Sequence, residues 1–316
     1  TLADLYAKID KDLQEGLKLV GSTYDKPKFH FTSTSAAAFA ARFYLYYQDY
    51  DKAIDYATKA LGDNPASQLR DWASLSSLSM NDQVQTEAYV NSGNNANLLL
   101  QTAYSEWGLV GGPYSTGDRY AHGKVLATTE TLQAAGPWGS NTGFNYKVWS
   151  NSALSKYFLR KIPYEFEYTD LQAGIGYAHS IFSAFNTDML LMERAEAYAL
   201  KGEYQKAVDD VNTELSVFSK RNVTLSVDGI KEYYKGIKYY TPKEPTVKKA
   251  LHPAFTIDAE TQEPVLQCIL QLKRILSMHE GLRMQDVKRY GIVIYRRTLN
   301  KNDEILDVTD SLTVDD

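Results

Sequence analysis

Between Trp107 and Trp149 the chain sets five aromatic rings that could stack on a ligand: Trp107, Tyr114, Tyr120, Trp138 and Trp149. Four side chains able to hydrogen-bond in the plane of such a ligand stand among them, Asp118, Arg119, Asn141 and Asn145. Ring faces beside amide, carboxylate and guanidinium groups suit a molecule whose flat apolar faces are ringed by hydroxyls. The plainer alternative is that these rings pin long loops to a helical body. A second aromatic run, Tyr233, Tyr234, Tyr239 and Tyr240, is the next choice for a binding surface.

Catalysis has no comparable signature. The five histidines, His30, His122, His179, His252 and His279, are scattered, and no His-x-x-x-His, Cys-x-x-Cys or Gly-x-Ser-x-Gly occurs. Gly111-Gly112 and Gly174-Ile175-Gly176 lack the strand-then-helix setting and the lysine of a phosphate loop, and read as turns. A glycosidase pair is defined by separation in space, and nothing singles out two of the 39 carboxylates. The expectation is a binding protein, not an enzyme, with no catalytic residue, cofactor or metal site. A net charge of −5 and no Lys/Arg-rich run give nucleic acid no reason to bind. A mean hydropathy of −0.39 and the absence of a ~20-residue apolar run fit a globular chain. The single cysteine, Cys268, cannot form an internal disulfide.

The elements that must position these side chains are helical hairpins. AYALKGEYQKAVDDVN, from Ala197 to Asn212, is a diverged copy of FYLYYQDYDKAIDYAT, from Phe43 to Thr58. In both, an alanine is followed by tyrosines three and nine residues on and by another alanine after three more: Ala41, Tyr44, Tyr50, Ala53, then Ala195, Tyr198, Tyr204, Ala207. This is the skeleton of a tetratricopeptide-type hairpin, in which small residues let two antiparallel helices approach and an aromatic fills the gap. An array would need adjacent units, so two distant copies predict elements of a larger helical domain. Before the first copy, Leu2, Leu5, Ile9, Leu13 and Leu17 predict an amphipathic helix capped by Thr1. Ser33 or Ser35 should cap the next helix, and Gly62-Asp63-Asn64-Pro65 should end the hairpin.

Eight of the nineteen glycines fall between Gly108 and Gly143, so residues 81–160 read as aromatic, glycine-rich inserted loops with short strands at most. Helical periodicity returns over Phe182 to Ser219, and Asn222 to Thr256 reads as a second irregular excursion. A helix then runs from about Glu263 through Met278, continuing into a signature segment over 262–291, and the acidic tail after Asn300 reads as strand or coil. The expected organisation is one domain, 1–316, with hairpins at 1–65 and 180–220.

That signature segment is the most specific string in the chain. Its core, Glu280-Gly281-x-Arg283-x-x-Asp286-x-Lys288-Arg289-Tyr290-Gly291, resembles the helix signature of the SusD/RagB family, surface nutrient-binding lipoproteins of Bacteroidetes. Arg194-Ala195-Glu196-Ala197 with Asn212 is similar to the family's Leu-x-x-Ala-Glu-Ala segment, and IDKDLQEGL followed by AAAFAARFYLY is similar to the start of its core. His279 stands where an aromatic is usual, and only Arg221 remains of an expected Arg-x-Arg. Along a helix face Glu280, Arg283, Asp286 and Arg289 would pair three apart, each exposed pair contributing only ~0.2–0.5 kcal/mol. Such a ladder is expected to fix packing, not to hold ligand.

The resemblance implies a mostly α SusD-like scaffold whose inserted loops carry the ligand surface. It further implies a non-catalytic receptor on the outer-membrane surface, without cofactor. Such a receptor captures an oligosaccharide and passes it to a SusC-like TonB-dependent transporter. Family members begin with a lipidated cysteine and a further helical segment, which this chain lacks at Thr1. A RagB-like carrier of peptides and a cytoplasmic tetratricopeptide-like adaptor are the alternatives.

Overall fold

The computed structural model describes residues 1–79, 83–108, 121–151 and 155–313. Of these residues helix accounts for 45% and strand for 17%, a mostly α architecture. The first helix, α1 (Leu2–Gly16), opens on a capping box in which the Thr1 side chain accepts from the Asp4 amide. Only Tyr6, Ile9, Leu13 and Leu17 of its apolar stripe reach a core, while Leu2 and Leu5 stay exposed.

α2 (Ser33–Tyr47) and α3 (Tyr50–Leu61) form the first hairpin, turning through left-handed Gln48 and the N-cap Asp49. Thr32 caps α2, and Ser35 returns the bond from the third position. The predicted serine caps are thus displaced by one hydroxyl upstream. Ala37, Ala38, Ala41, Ala53 and Ala57 are buried and let the two helices approach, with Tyr44 filling the gap between them. The Tyr44 hydroxyl donates to Asp10 and so ties α1 to the hairpin.

Next come α4 (Trp72–Ser77) and α5 (Val84–Tyr89), then β1 (Asn97–Tyr104). The glycine-rich region adds β2 (His122–Gly123), α6 (Lys124–Thr129), β3 (Trp149–Asn151) and β4 (Lys156–Phe158). The short strands form one antiparallel sheet in the order β2-β4-β3. β5 (Glu165–Asp170) and β6 (Ile175–Asn186) join β1 in a second antiparallel sheet, with β6 central.

The helical reading from Phe182 is corrected at this point: β6 runs on to Asn186, whose side chain caps the next helix by accepting from the Met189 amide. Phe-Ser-Ala-Phe fits either period, and the ladder to β1, with Gln101 opposite Phe182 and Leu100 opposite Ser183, decides for strand.

α7 (Thr187–Leu200) and α8 (Tyr204–Phe218) are the second hairpin. Nearly every residue of α7 is buried, so it lacks a solvent face and sits at the centre. It packs against both α8 and α3, which brings the two diverged copies side by side. Arg194 fixes the assembly, with Nε 2.9 Å and Nη2 2.7 Å from the Asp210 carboxylate and Nη1 3.0 Å from Thr58.

The irregular stretch that follows contains one helix, α9 (Val227–Lys235). The predicted continuous signature helix is two: α10 (Gln262–Leu276) and α11 (Arg283–Arg289). Between them His279 and Gly281 both take positive φ, 68° and 76°, which an α-helix cannot contain. The tail is a hairpin of β7 (Ile294–Leu299) and β8 (Ile305–Leu312).

The signature residues are not the exposed ladder their spacing suggests. Asp286 and Glu196 are buried and both accept from the Lys273 ammonium, at 2.6 and 2.7 Å. The Tyr290 hydroxyl donates to Glu196 at 2.7 Å, and Arg289 lies 3.3 Å from it. Burial alone would depress the Lys273 pKa, but Asp286 and Glu196 outweigh it and hold the ammonium above its ordinary value. The motif therefore bolts α10 and α11 to the second hairpin, a packing role carried by buried charge.

Candidate ligand-binding cleft

Where β1 and β6 meet α2 and the loop after β4, an open cleft of about 430 Å³ is lined by aromatic and polar side chains. This is within the size range of small-molecule sites. One wall is a chain of phenylalanines. Phe31 meets Phe39 edge to face with centroids 6.0 Å apart, and Phe39 meets Phe185 at 6.1 Å and 68°. Phe31 and Phe39 are 44% and 37% exposed, unusual for rings packed around a helix otherwise buried through alanines. α2 places Phe39 on its outward side, and the capped entry at Thr32 fixes the backbone that presents Phe31.

Arg42, one turn after Phe39, lays its guanidinium 4.2 Å over the Phe185 ring and binds Glu193 through Nε at 2.6 Å. Across the cleft, paired strands supply Gln101, which is exposed, and Phe182, which is half-buried. The floor holds Lys161, Glu280 and Tyr89. Tyr89 donates its hydroxyl to Glu280, and Lys161 sits 3.4 Å from the same carboxylate while donating to the Leu276 carbonyl. Burial lowers the Lys161 pKa and Glu280 partly restores it, while burial and then Glu280 raise that of Tyr89. Of the two cations lining the cleft, Lys161 is thus paired with Glu280 on the floor and Arg42 with the buried Glu193 behind the wall. With both cations paired, the cleft carries little net charge.

The sequence-predicted residues have different fates. Trp138 is 4% exposed and tilts against Phe144 at 5.8 Å, so its faces are unavailable to a ligand. Asn145 spends its amide on the Val217 carbonyl at 2.8 Å, clamping the loop to α8. Trp149 is half-buried against Phe158, 4.6 Å between centroids, with Arg160 at 5.5 Å. Trp107 is half-buried and points its ring toward His279 at 6.5 Å. Phe158 also meets His279, at 6.3 Å, so Trp107 and Trp149 converge on one aromatic knot beside the cleft floor. Tyr114, Asp118, Arg119 and Tyr120 lie outside the described residues, and of Asn141 only the backbone, in the turn Asn141–Gly143, is described. In the second aromatic run Tyr234 is buried with its hydroxyl on Gln271 at 2.6 Å, and Tyr239 remains 45% exposed.

Sequence reasoning missed the cleft because its lining comes from separate segments of the chain. The one available signal was Phe39, a large ring inside an alanine run on α2. Among the described residues no cluster of His, Cys, Asp and Glu could hold a metal ion, and no helix is long and apolar enough to cross a membrane.

Residues 1–45 match a family model, SusD-like, described as starch-binding and associating with the outer membrane. No curated protein sequence matches the chain. Among solved structures, a SusD-like carbohydrate binding protein of Bacteroides vulgatus aligns with 99% of this chain and 57% of its own, at 14% identity and TM-score 0.52. A SusD-like protein of Bacteroides fragilis aligns with 94% and 63%, at 14% identity and TM-score 0.53. A SusD superfamily protein of B. vulgatus aligns with 97% and 60%, at 18% identity and TM-score 0.52. The chain spans about three fifths of the length of these structures. The chain therefore has a SusD-like fold, and over residues 1–45 its sequence matches the SusD-like family model.

Proposed function

We propose that this chain is the ligand-holding body of a cell-surface glycan receptor and that the phenylalanine-walled cleft holds a neutral oligosaccharide. The observation that carries the reading is the pairing of exposed Phe31 and Phe39 with a charge-balanced floor. Sugar CH faces stack on the rings, while the Gln101 amide and the Arg42 guanidinium supply hydrogen bonds to hydroxyls. A SusD-like fold and an N-terminal match to a starch-binding family model support a carbohydrate ligand over other neutral ones. The reading is non-catalytic. Among the described residues lining the cleft Glu280 is the one carboxylate, held by Tyr89 and Lys161, and Glu193 behind the wall is held by Arg42, so neither is a free member of the two-carboxylate arrangement of glycoside hydrolysis.

In this proposal the receptor sits at the outer-membrane surface by a lipid anchor carried on its precursor. There it delivers the glycan to a SusC-type TonB-dependent transporter, with Trp107 and Trp149 supporting the cleft from the adjoining knot. Affinity electrophoresis against neutral glycans, acidic glycans and peptide pools tests it. Retardation by one or more neutral glycans is expected. Binding to peptides with no response to any glycan would replace the sugar by a peptide ligand.

A further inference from the structure

A second cavity, of about 190 Å³, lies between α6, α10, α11 and β7, away from the residues of the cleft. Its charge does not balance. Glu130, 4% exposed, is gripped by Lys249 at 2.6 Å, Arg297 at 2.9 Å and Arg274 at 3.2 Å. Arg283 also lines the cavity, and it makes no hydrogen bond or ion pair among the described residues. Its Nη1 and that of Arg297 are buried without a partner. Four cations therefore surround one carboxylate, and a guanidinium cannot shed its charge to relieve the imbalance. The neighbouring His122 is half-buried and kept neutral, its pKa pushed down to about 3 by desolvation and then by Arg274, so it adds no compensation and no further charge.

Lys249 is buried and the three arginines are half-buried, so the two unpartnered Nη1 groups are shut off from water, and a buried donor without an acceptor is unfavourable. Burial, with Arg274 adding repulsion, pulls Lys249 down to about 7 and Arg283 down to about 10. Glu130, joined by Asp286 for Arg283, offsets these effects only in part. The volume is several times the roughly 30 Å³ of one water, and the free donors are paired N–H groups suited to an oxygen pair. Tyr240 closes one side, its ring 3.4 Å from the Lys249 ammonium.

We propose that this cavity binds a small oxyanion, held by Arg283 and Arg297 with Lys249 and Arg274 behind them. The anion would also brace the C-terminal hairpin, since Arg297 is on β7. Its chemistry is that of a sulfate, a phosphate or a carboxylate. Nothing in it depends on the glycan reading of the cleft.

Calorimetric titration and thermal unfolding of the full chain, with sulfate in one arm and acetate in the other against chloride at matched ionic strength, test the proposal. High sulfate stabilises most proteins by exclusion, so the diagnostic is a response that saturates at low millimolar concentration. A saturating response in either arm is expected, and the arm that responds identifies the anion. Arg283→Met should weaken that binding at least tenfold, and its midpoint in chloride should be no lower than that of the parent. Arg297→Gln should weaken binding as well and serves if the first variant does not fold. Flat responses in both arms, or an undiminished saturating response in the folded variants, would overturn the assignment.

Discussion

Lys273→Met removes the ammonium that Glu196 and Asp286 share and leaves a side chain of similar length in its place. The two bonds lost are 2.7 and 2.6 Å long, and both carboxylates are essentially without solvent contact. Glu196 keeps Arg289 at 3.3 Å and the Tyr290 hydroxyl, but Asp286, whose Oδ2 already has no hydrogen-bond partner, is left as an uncompensated buried charge. Stranding one partner of a buried pair costs about 3–5 kcal/mol. With a urea m-value of about 3 kcal/mol/M, the midpoint should fall by about 1–1.7 M. Since the Lys273 pKa is raised, the parent's share of the pH dependence is flat below the ordinary lysine value, and stability carried by the pair is lost only as pH rises above it. Lys273→Met combined with Asp286→Asn should recover part of the loss, because the second change removes the stranded charge. Urea unfolding followed by circular dichroism reads four chains: the parent, Lys273→Met, Asp286→Asn and the double. A fall of less than about 1 kcal/mol for the single variant, or additive losses in the double, would refute the view that the signature acts as a buried charge clamp.

Other predictions concern the aromatic knot and the loop region. His279 is held neutral, its pKa lowered to about 4 by burial and then by Lys161. Below the ordinary histidine value the unfolded chain takes up a proton that the fold resists, so stability attributable to His279 is complete above pH 6.5 and falls as pH drops toward 4. By linkage the loss between pH 7 and 5 is about 2 kcal/mol, and His279→Phe should shrink the pH 7-to-5 difference in unfolding free energy by that amount. An unchanged difference would place the acid sensitivity elsewhere. Gly136→Ala would set a methyl group 2.3 Å from the Trp138 indole, so thermal unfolding should show a loss of about 1–3 kcal/mol. A neutral result would mean that Trp138 is less tightly held than its burial implies.

Local rules were readable wherever a single segment decides its own structure. Thr1, the alanine and tyrosine spacing of both hairpins, and the Gly62 stop lead directly to α1, α2, α3, α7 and α8. Where two segments decide together, the reading failed. Phe182–Asn186 is strand because β1 pairs with it, and β1 lies far away in the chain. Glu280, Asp286 and Arg289 look like a solvated ladder until Lys161, Lys273 and Glu196 are placed beside them. Trp138 and Asn145 have the types that a binding loop would use, and their burial and bonding to α8 and its surroundings could not be read from type. Phe31, Phe39, Gln101 and Phe182 form a wall only after α2 and the β1-β6 sheet have met.

The central claim is that the phenylalanine wall holds the ligand, and isothermal titration of the best-retarded glycan against Phe39→Ala, and against Phe31→Ala combined with Phe39→Ala, tests it most directly. Both rings are partly exposed, so their loss should lower the unfolding midpoint without preventing folding, and binding is read on the folded variants. Each removed stacking ring should cost about 1–2 kcal/mol of binding, a weakening of about 5- to 30-fold, with the double variant near or beyond detection. An affinity equal to that of the parent in the folded double variant would contradict the account and move the ligand out of this cleft.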